Sequence, residues 1–305
     1  MAELLSHKGN PNDDLADAVA AARARIEAAG PQYGGREQLL ADLEVWQRCD
    51  LGRWMLVHGG WNASWTRYCV GYDPAAPSAN TVEHFFLSQS PAVVATRQRS
   101  RIFAEVLGDL VGPGTVAMSV PCGLMDALIR LPSAAAAEVL IGLDLDAEAL
   151  AGAAGNAAES GLGNVCLARG DAWEPQSAQV VTGDPAVYAR GIAGGVDVLT
   201  SNGLNIYVTD DADVVELYRG YRRVLRRGGT AVISAVTTQD EWDLSDVPKA
   251  DSRRALGLTL INNVQWTNYR SVDLTSAQLT AAGFEVTEVR FDERRIFPTF
   301  IATAV

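Results

Sequence analysis

The sequence predicts an α/β fold: a mostly parallel sheet of seven strands ending in an antiparallel hairpin, with a helical cap before it. Three observations carry this. From Thr115 onward, the apolar runs TVAMSV, EVLIGLDL, NVCLAR, VDVLTS and TAVISAV alternate with stretches of helical spacing. That is the pattern of a parallel sheet covered on both faces. After residue 283, FEVTEVRFD and FPTFIATAV are separated only by a short connection containing Pro298, as in an antiparallel hairpin at a sheet edge. The first 111 residues lack this strand pattern and read as helices.

Asp13 and Asp14 are placed to cap a helix through LADAVAAARARIEAAG, which Gly30 and Pro31 end. A second helix is expected from Arg36 to about His58, with Leu39, Leu40, Leu43, Trp46, Trp54 and Leu56 on its apolar positions. HGGWNASWTRYCVGYDP then reads as an aromatic-rich loop or broken helix, and Pro91–Leu110 as a further helix. In the sheet region, helices are expected over Leu124–Leu131, Ala147–Ser160 and Asp211–Arg226, with residues 174–195 as a long loop. In the last helix Tyr218, Tyr221 and Leu225 are expected to pack on the sheet, and Arg226, Arg227 and Gly228 to end it. The expected division is 1–111 for the helical cap and 112–305 for the sheet domain.

With 305 residues, of which 48% are hydrophobic, the chain can bury one large core with a helical addition. It has no window of 18 uninterrupted apolar residues, and MAELLSHKGNPNDD lacks a signal-peptide apolar region. A cytoplasmic protein without a membrane partner is expected. The net charge of −12 and the absence of a basic run disfavour nucleic acid and favour a small-molecule substrate. Cys49, Cys69, Cys122 and Cys166 form no CxxC pair, and His7, His58 and His84 are scattered. No metal site is expected, and the thiols read as reduced and mostly buried. The oligomeric state is left open, a homodimer included.

The stretch Thr115–Asp126, TVAMSVPCGLMD, has a buried strand, a turn, and then Leu124, Leu128 and Leu131 at helical spacing. It occupies the position of a nucleotide-binding glycine loop, but only Gly123 remains of the glycines. Downstream, VLIGLDLD places Asp144 at a strand end, LARGDAW places Asp171, Ala172 and Trp173 after the next strand, and VDVLTSNGLNIYVTDD crowds Ser201, Asn202, Asn205 and Tyr207 into one turn. Taken singly, Asn202–Gly203 reads as a turn and Asn205 as a helix start. As a group at the carboxyl ends of the strands, the four suit a polar ligand, because an Asn offers donors and an acceptor without charge.

From about Gly112 to Val305 this layout resembles the class I, Rossmann-like S-adenosylmethionine (SAM) methyltransferase fold. The resemblance implies SAM as cofactor. It also implies that Asp144, followed by Leu145, holds the ribose hydroxyls, where a second helix cap is the other reading. Asp146 is a rival carboxylate that also suits capping of AEALAGAAGNAAE. Asp171 falls where the family contacts the adenine amine, Ala172 where it meets the ring, and Trp173 either stacks on it or packs in the core. In the first motif Ser119 takes the place of the family's acid and Pro121 that of its first glycine, with Gly123 kept. The loop can still offer backbone groups at a helix start to the methionyl carboxylate.

SNGLNIY, DAW and the FPTFIA-like last strand also resemble a bacterial group of SAM-dependent methyltransferases and, more distantly, the methyltransferase-like enzymes that close SAM into azetidine-2-carboxylate. The implied function is therefore methyl transfer to a small molecule of secondary metabolism. One alternative is cyclisation, in which the SAM amine attacks its own γ carbon and expels methylthioadenosine. Another is a non-catalytic SAM sensor. Ser201, Asn202, Asn205 and Tyr207 are the candidate catalytic residues. Trp61, Trp65, Tyr68 and Tyr72 are candidates for a lid, and His58, Tyr68, Tyr72 and His84 for a base. Cyclisation needs a neutral amine, so Ser119 in place of an acid and uncharged Asn202 and Asn205 fit it.

Overall fold

A computed structural model of the chain describes residues 15–76 and 78–305. The caps expected at Asp13 and Asp14, and His7, lie outside the described residues. The chain divides into two compact units, one ending at Arg97 and rejoined by Asp243–Thr267, the other formed by Gln98–Trp242 and Asn268–Val305. A single cut at 111/112 differs from this on both sides. The helix Pro91–Leu110 contributes its last three turns to the sheet unit, and a distant helix, Lys249–Asn262, returns to the helical unit.

In the helical unit, Leu15–Ala28, Arg36–Trp46, Asp50–His58, Ala63–Gly71, Thr81–Gln89 and Lys249–Asn262 are helices. Ile26, Leu43, Trp46, Leu51, Met55, Leu87, Leu258 and Ile261 form their common core. The single helix expected from Arg36 to His58 is two. The chain turns at 47–49, and the Cys49 thiol accepts the Gly52 N–H at 3.3 Å to start the second. The aromatic segment is a short helix whose cap, Asn62, accepts the Trp65 N–H at 2.9 Å. The returning helix is fixed by the Trp46 indole N–H donating to Asn262 at 2.7 Å, and by Arg254 donating to both oxygens of buried Asp42 at 3.0 and 2.8 Å.

The sheet unit has eight strands: β1 (Val116–Ser119), β2 (Val139–Asp144), β3 (Val165–Arg169), β4 (Gln179–Thr182), β5 (Val196–Asn202), β6 (Leu225–Ser234), β7 (Phe284–Arg290) and β8 (Thr299–Ala304). Their order is β4-β3-β2-β1-β5-β6-β8-β7. The five expected parallel strands and the terminal hairpin are all present. The eighth strand, β4, runs antiparallel on β3 inside the stretch read as a loop. It is a mostly exposed edge strand, so it lacks the buried run that marks the others. A helix, Pro185–Ile192, follows it, and another, Val272–Ala281, precedes β7. The helix Asp211–Val224 ends earlier than expected, because Leu225 already pairs with Val196 as the start of β6.

One face of the sheet, with Ala117, Leu140, Leu167, Val198 and Val232, is buried under Phe103, Val106 and Leu107 and under Leu150 and Ala153. The other, with Met118, Ile141, Leu199, Ile233 and Phe300, is buried under Leu217, Tyr218, Tyr221 and Leu279. Core burial on both faces fixes which side each residue at a strand tip presents. No helix among the described residues is long and apolar enough to cross a membrane.

Candidate active site

At the tips of β1 and β2 the loop after β1 is folded onto the second strand. Cys122 N–H donates to the Leu143 carbonyl at 2.9 Å, and Gly123 N–H to Asp144 Oδ2 at 2.8 Å. Gly123 and Met125 take left-handed conformations, at φ 52° and 59°. The glycines of a conventional loop are replaced by packing. Cys122 and Met125 are buried in the core, and Gly142 beneath them has no room for a side chain. A Cβ there would lie 2.7 Å from Leu167, 3.0 Å from the Cys122 sulfur and 3.1 Å from that of Met125. Ser119 is buried at the end of β1, Pro121 is half-buried in the loop, and Leu145 accepts the Arg169 Nε–H at 3.2 Å through its carbonyl.

Asp144 is half-buried, and its Oδ1 accepts the Asp146 N–H at 2.9 Å. Burial raises its pKa above the ordinary carboxylate value, while the backbone N–H groups of Asp146 and Gly123 oppose the rise. Asp146 has the capping role, accepting the Glu148 N–H at 2.9 Å. The Leu145 N–H also favours the charged carboxylate, and of its about four acceptor positions these three donors leave at least one open. At the tip of β3, Asp171 accepts the Trp173 N–H at 3.0 Å. Ala172 is buried, and Trp173 packs on the core with its indole N–H on the Asp213 carbonyl at 3.2 Å. For Trp173 this is the packing alternative.

The four residues after β5 separate. Ser201 is in register with Ile233, on the face that carries the tyrosines, and its hydroxyl shares a 2.9 Å hydrogen bond with Tyr221. The Asn205 amide donates to the Tyr218 hydroxyl at 2.9 Å, and its carbonyl accepts from Arg270. Both side chains are buried and hydrogen-bonded to core tyrosines rather than open to solvent. Asn202, one residue beyond Ser201, is exposed. Tyr207 is half-buried, and its pKa is pushed up to about 12 by burial, with Arg99 pulling the other way.

Arg99 is a further charged residue at this edge of the sheet. Its helix presents Phe103, Val106 and Leu107 to the sheet, and Arg99 lies one turn earlier on that stripe. The side chain is only 8% exposed, and its guanidinium stands 4.5 Å over the Phe297 ring. Its Nη1 is 3.5 Å from the point a Gly203 Cβ would occupy. A charged residue inside an otherwise apolar helical stripe is the signal that would have found it.

In the helical unit, described by itself, Trp61, Trp65 and Tyr72 are partly buried against its core and Tyr68 is exposed. The Tyr72 hydroxyl is 2.8 Å from His84 Nδ1, and the His58 ring packs on Trp54 at a tilt of 46°, with centroids 3.9 Å apart. Tyr68 donates to Glu83 at 3.2 Å.

No protein-family model and no curated protein matches the sequence. Among solved structures, a Bordetella parapertussis protein described as a possible exported protein is 34% identical with a TM-score of 0.85, over 100% of this chain and 99% of that one. The chain belongs to that protein's family. Magnesium protoporphyrin IX methyltransferase (ChlM) from Synechocystis PCC 6803, with SAH bound, has a TM-score of 0.50 at 14% identity over 79% of this chain and 94% of its own. With the strand order above, this gives the chain the Rossmann-like fold of the class I SAM-dependent methyltransferases.

Proposed function

We propose that the chain binds SAM at the carboxyl ends of β1–β3 and β5 and transfers its methyl group to a small molecule. The observation that carries the reading is Asp144. Its carboxylate is presented at the tip of β2, is oriented by backbone N–H groups that include those of Gly123 and Asp146, and keeps acceptor capacity for a ribose hydroxyl. The residues present fit the cofactor at that point. Asp171 at the tip of β3 stands where adenine would be met, and the loop over Gly142 would border the methionyl arm. When bound, SAM supplies an electrophilic methyl on a sulfonium. The protein's share in such a displacement is positioning and exclusion of water rather than covalent chemistry.

Cyclisation of SAM is the second reading. Ser119 favours it, since no carboxylate at that position would hold the amine protonated. Asn205 no longer supports it, because its side chain is bonded to Tyr218. Incubation of the pure protein with SAM alone, followed by mass spectrometry, separates the two. The methyltransferase reading expects SAM to persist. Accumulation of methylthioadenosine would replace it with the cyclase reading.

A further inference from the structure

Thr200 of β5 is in register with Ser119 of β1, and Asn202 with Ser234 of β6, which is in turn in register with Thr299 of β8. Side chains alternate along strands, so Ser119, Thr200, Asn202, Ser234 and Thr299 all lie on the face that Phe103, Val106 and Leu107 cover. Arg99, one turn before Phe103, brings a guanidinium to the carboxyl edge of that face. The Thr200 and Thr299 hydroxyls and Arg99 Nε are all buried without a hydrogen-bond partner. Buried polar groups are nearly always paired, so a buried guanidinium with an unpaired Nε calls for an explanation.

The nearby carboxylate does not supply it. Asp292 is buried, and it spends its oxygens on the backbone N–H groups of Arg294, Ile296 and Phe297 at 2.9, 3.3 and 2.7 Å. Among the described residues Arg99 makes no salt bridge; Phe297 holds its plane from one side. Burial lowers the Arg99 pKa to about 10, with Tyr207 and Asp292 opposing, and the group stays charged at neutral pH. What remains is a planar fork of N–H donors held against Phe297 and close to the turn at Gly203. Its natural complement is a planar anion with paired oxygens.

We propose that Arg99 forms a carboxylate-binding site at the carboxyl edge of the sheet, beside the turn at Gly203. Through Gly203 it stands at the tip of β5, on the far side of β1 from Asp144. That is the acceptor's side of the cofactor position proposed above, on which this assignment of side rests. A carboxylate there comes from the acceptor or from the methionyl end of SAM.

The test follows the Arg99 side-chain Nε–H resonance by ¹⁵N NMR, identified by its loss in Arg99→Lys. Wild-type protein is titrated with sodium acetate against sodium chloride at equal ionic strength, with and without saturating SAH. A saturable shift with acetate, absent with chloride and retained with SAH, supports an acceptor carboxylate. A shift produced by SAH itself that blocks acetate, with SAH affinity at least tenfold weaker in Arg99→Met and methylthioadenosine affinity unchanged, supports the methionyl carboxylate. No saturable shift with either overturns the proposal. If methylthioadenosine fails to bind the wild type, the SAM reading falls, and the acetate arm still judges the Arg99 site. The wild-type titration decides even if Arg99→Met does not fold.

Discussion

The Gly123 N–H donates to the Asp144 carboxylate at 2.8 Å, so the loop after the first strand is tied to the acid at the tip of the second. One residue thus shapes the loop and, in the function proposed above, is the acceptor for a diol. Asp144→Ala removes both functions. Hydrogen bonds to a charged group are worth about 1.5–3 kcal/mol each. Calorimetry should show SAH binding weakened by about tenfold or more, and an unchanged affinity removes Asp144 from the site.

The same carboxylate sets a pH dependence. A diol donates to the ionised form, so protonation of Asp144 competes with binding. Burial raises the Asp144 pKa, so affinity for methylthioadenosine should fall as pH drops, starting above the ordinary carboxylate range. Asp144→Asn should bind weakly and show a flatter profile. A wild-type profile that is flat down to the ordinary value contradicts this.

Gly142→Ala tests the packing that replaces the missing glycines. The added methyl meets Leu167, Cys122 and Met125 at 3.1 Å or less, and overpacking of this kind costs about 1–3 kcal/mol. Both thermal stability and SAH affinity should drop, because the loop must lift. Loss of stability with full affinity would separate the loop from the site.

Asn205 should behave as a core residue. Asn205→Ala leaves the buried Tyr218 hydroxyl without its donor, at a cost of about 1–3 kcal/mol. Adding Tyr218→Phe should recover part of that loss, and SAH affinity should stay within about twofold throughout. A large affinity loss in folded Asn205→Ala would return Asn205 to the pocket.

In the helical unit, a Cβ at Gly52 would lie 1.9 Å from the Trp46 carbonyl oxygen. Gly52→Ala should therefore be strongly destabilising, whereas Gly71→Ala, where a Cβ meets nothing within 4 Å, should be close to neutral. Melting curves of the two variants check the break between Arg36–Trp46 and Asp50–His58.

Much of the sheet is legible in the sequence because buried parallel strands leave unbroken apolar runs. β4 is not, since an exposed edge strand such as QVVT leaves no such run. The break at 47–49 is hidden because apolar residues at helical spacing continue through it. At the site, Asp144 and Asp146 are legible from position, as strand end and helix cap. Ser201 and Asn205 are not, because their direction depends on tyrosines whose hydroxyls need partners in the core. The helix spacing puts Tyr218 and Tyr221 on the sheet, and their buried hydroxyls demand polar partners there, which Ser201 and Asn205 supply. Arg99 was hidden by distance, lying about 100 residues before the β5 tip that it approaches.

The most direct measurement of the central claim is titration of the full chain with SAH in a calorimeter. The account predicts saturable one-to-one binding to the wild type and its marked weakening in Asp144→Ala. Absence of saturable binding to folded wild-type protein would contradict it.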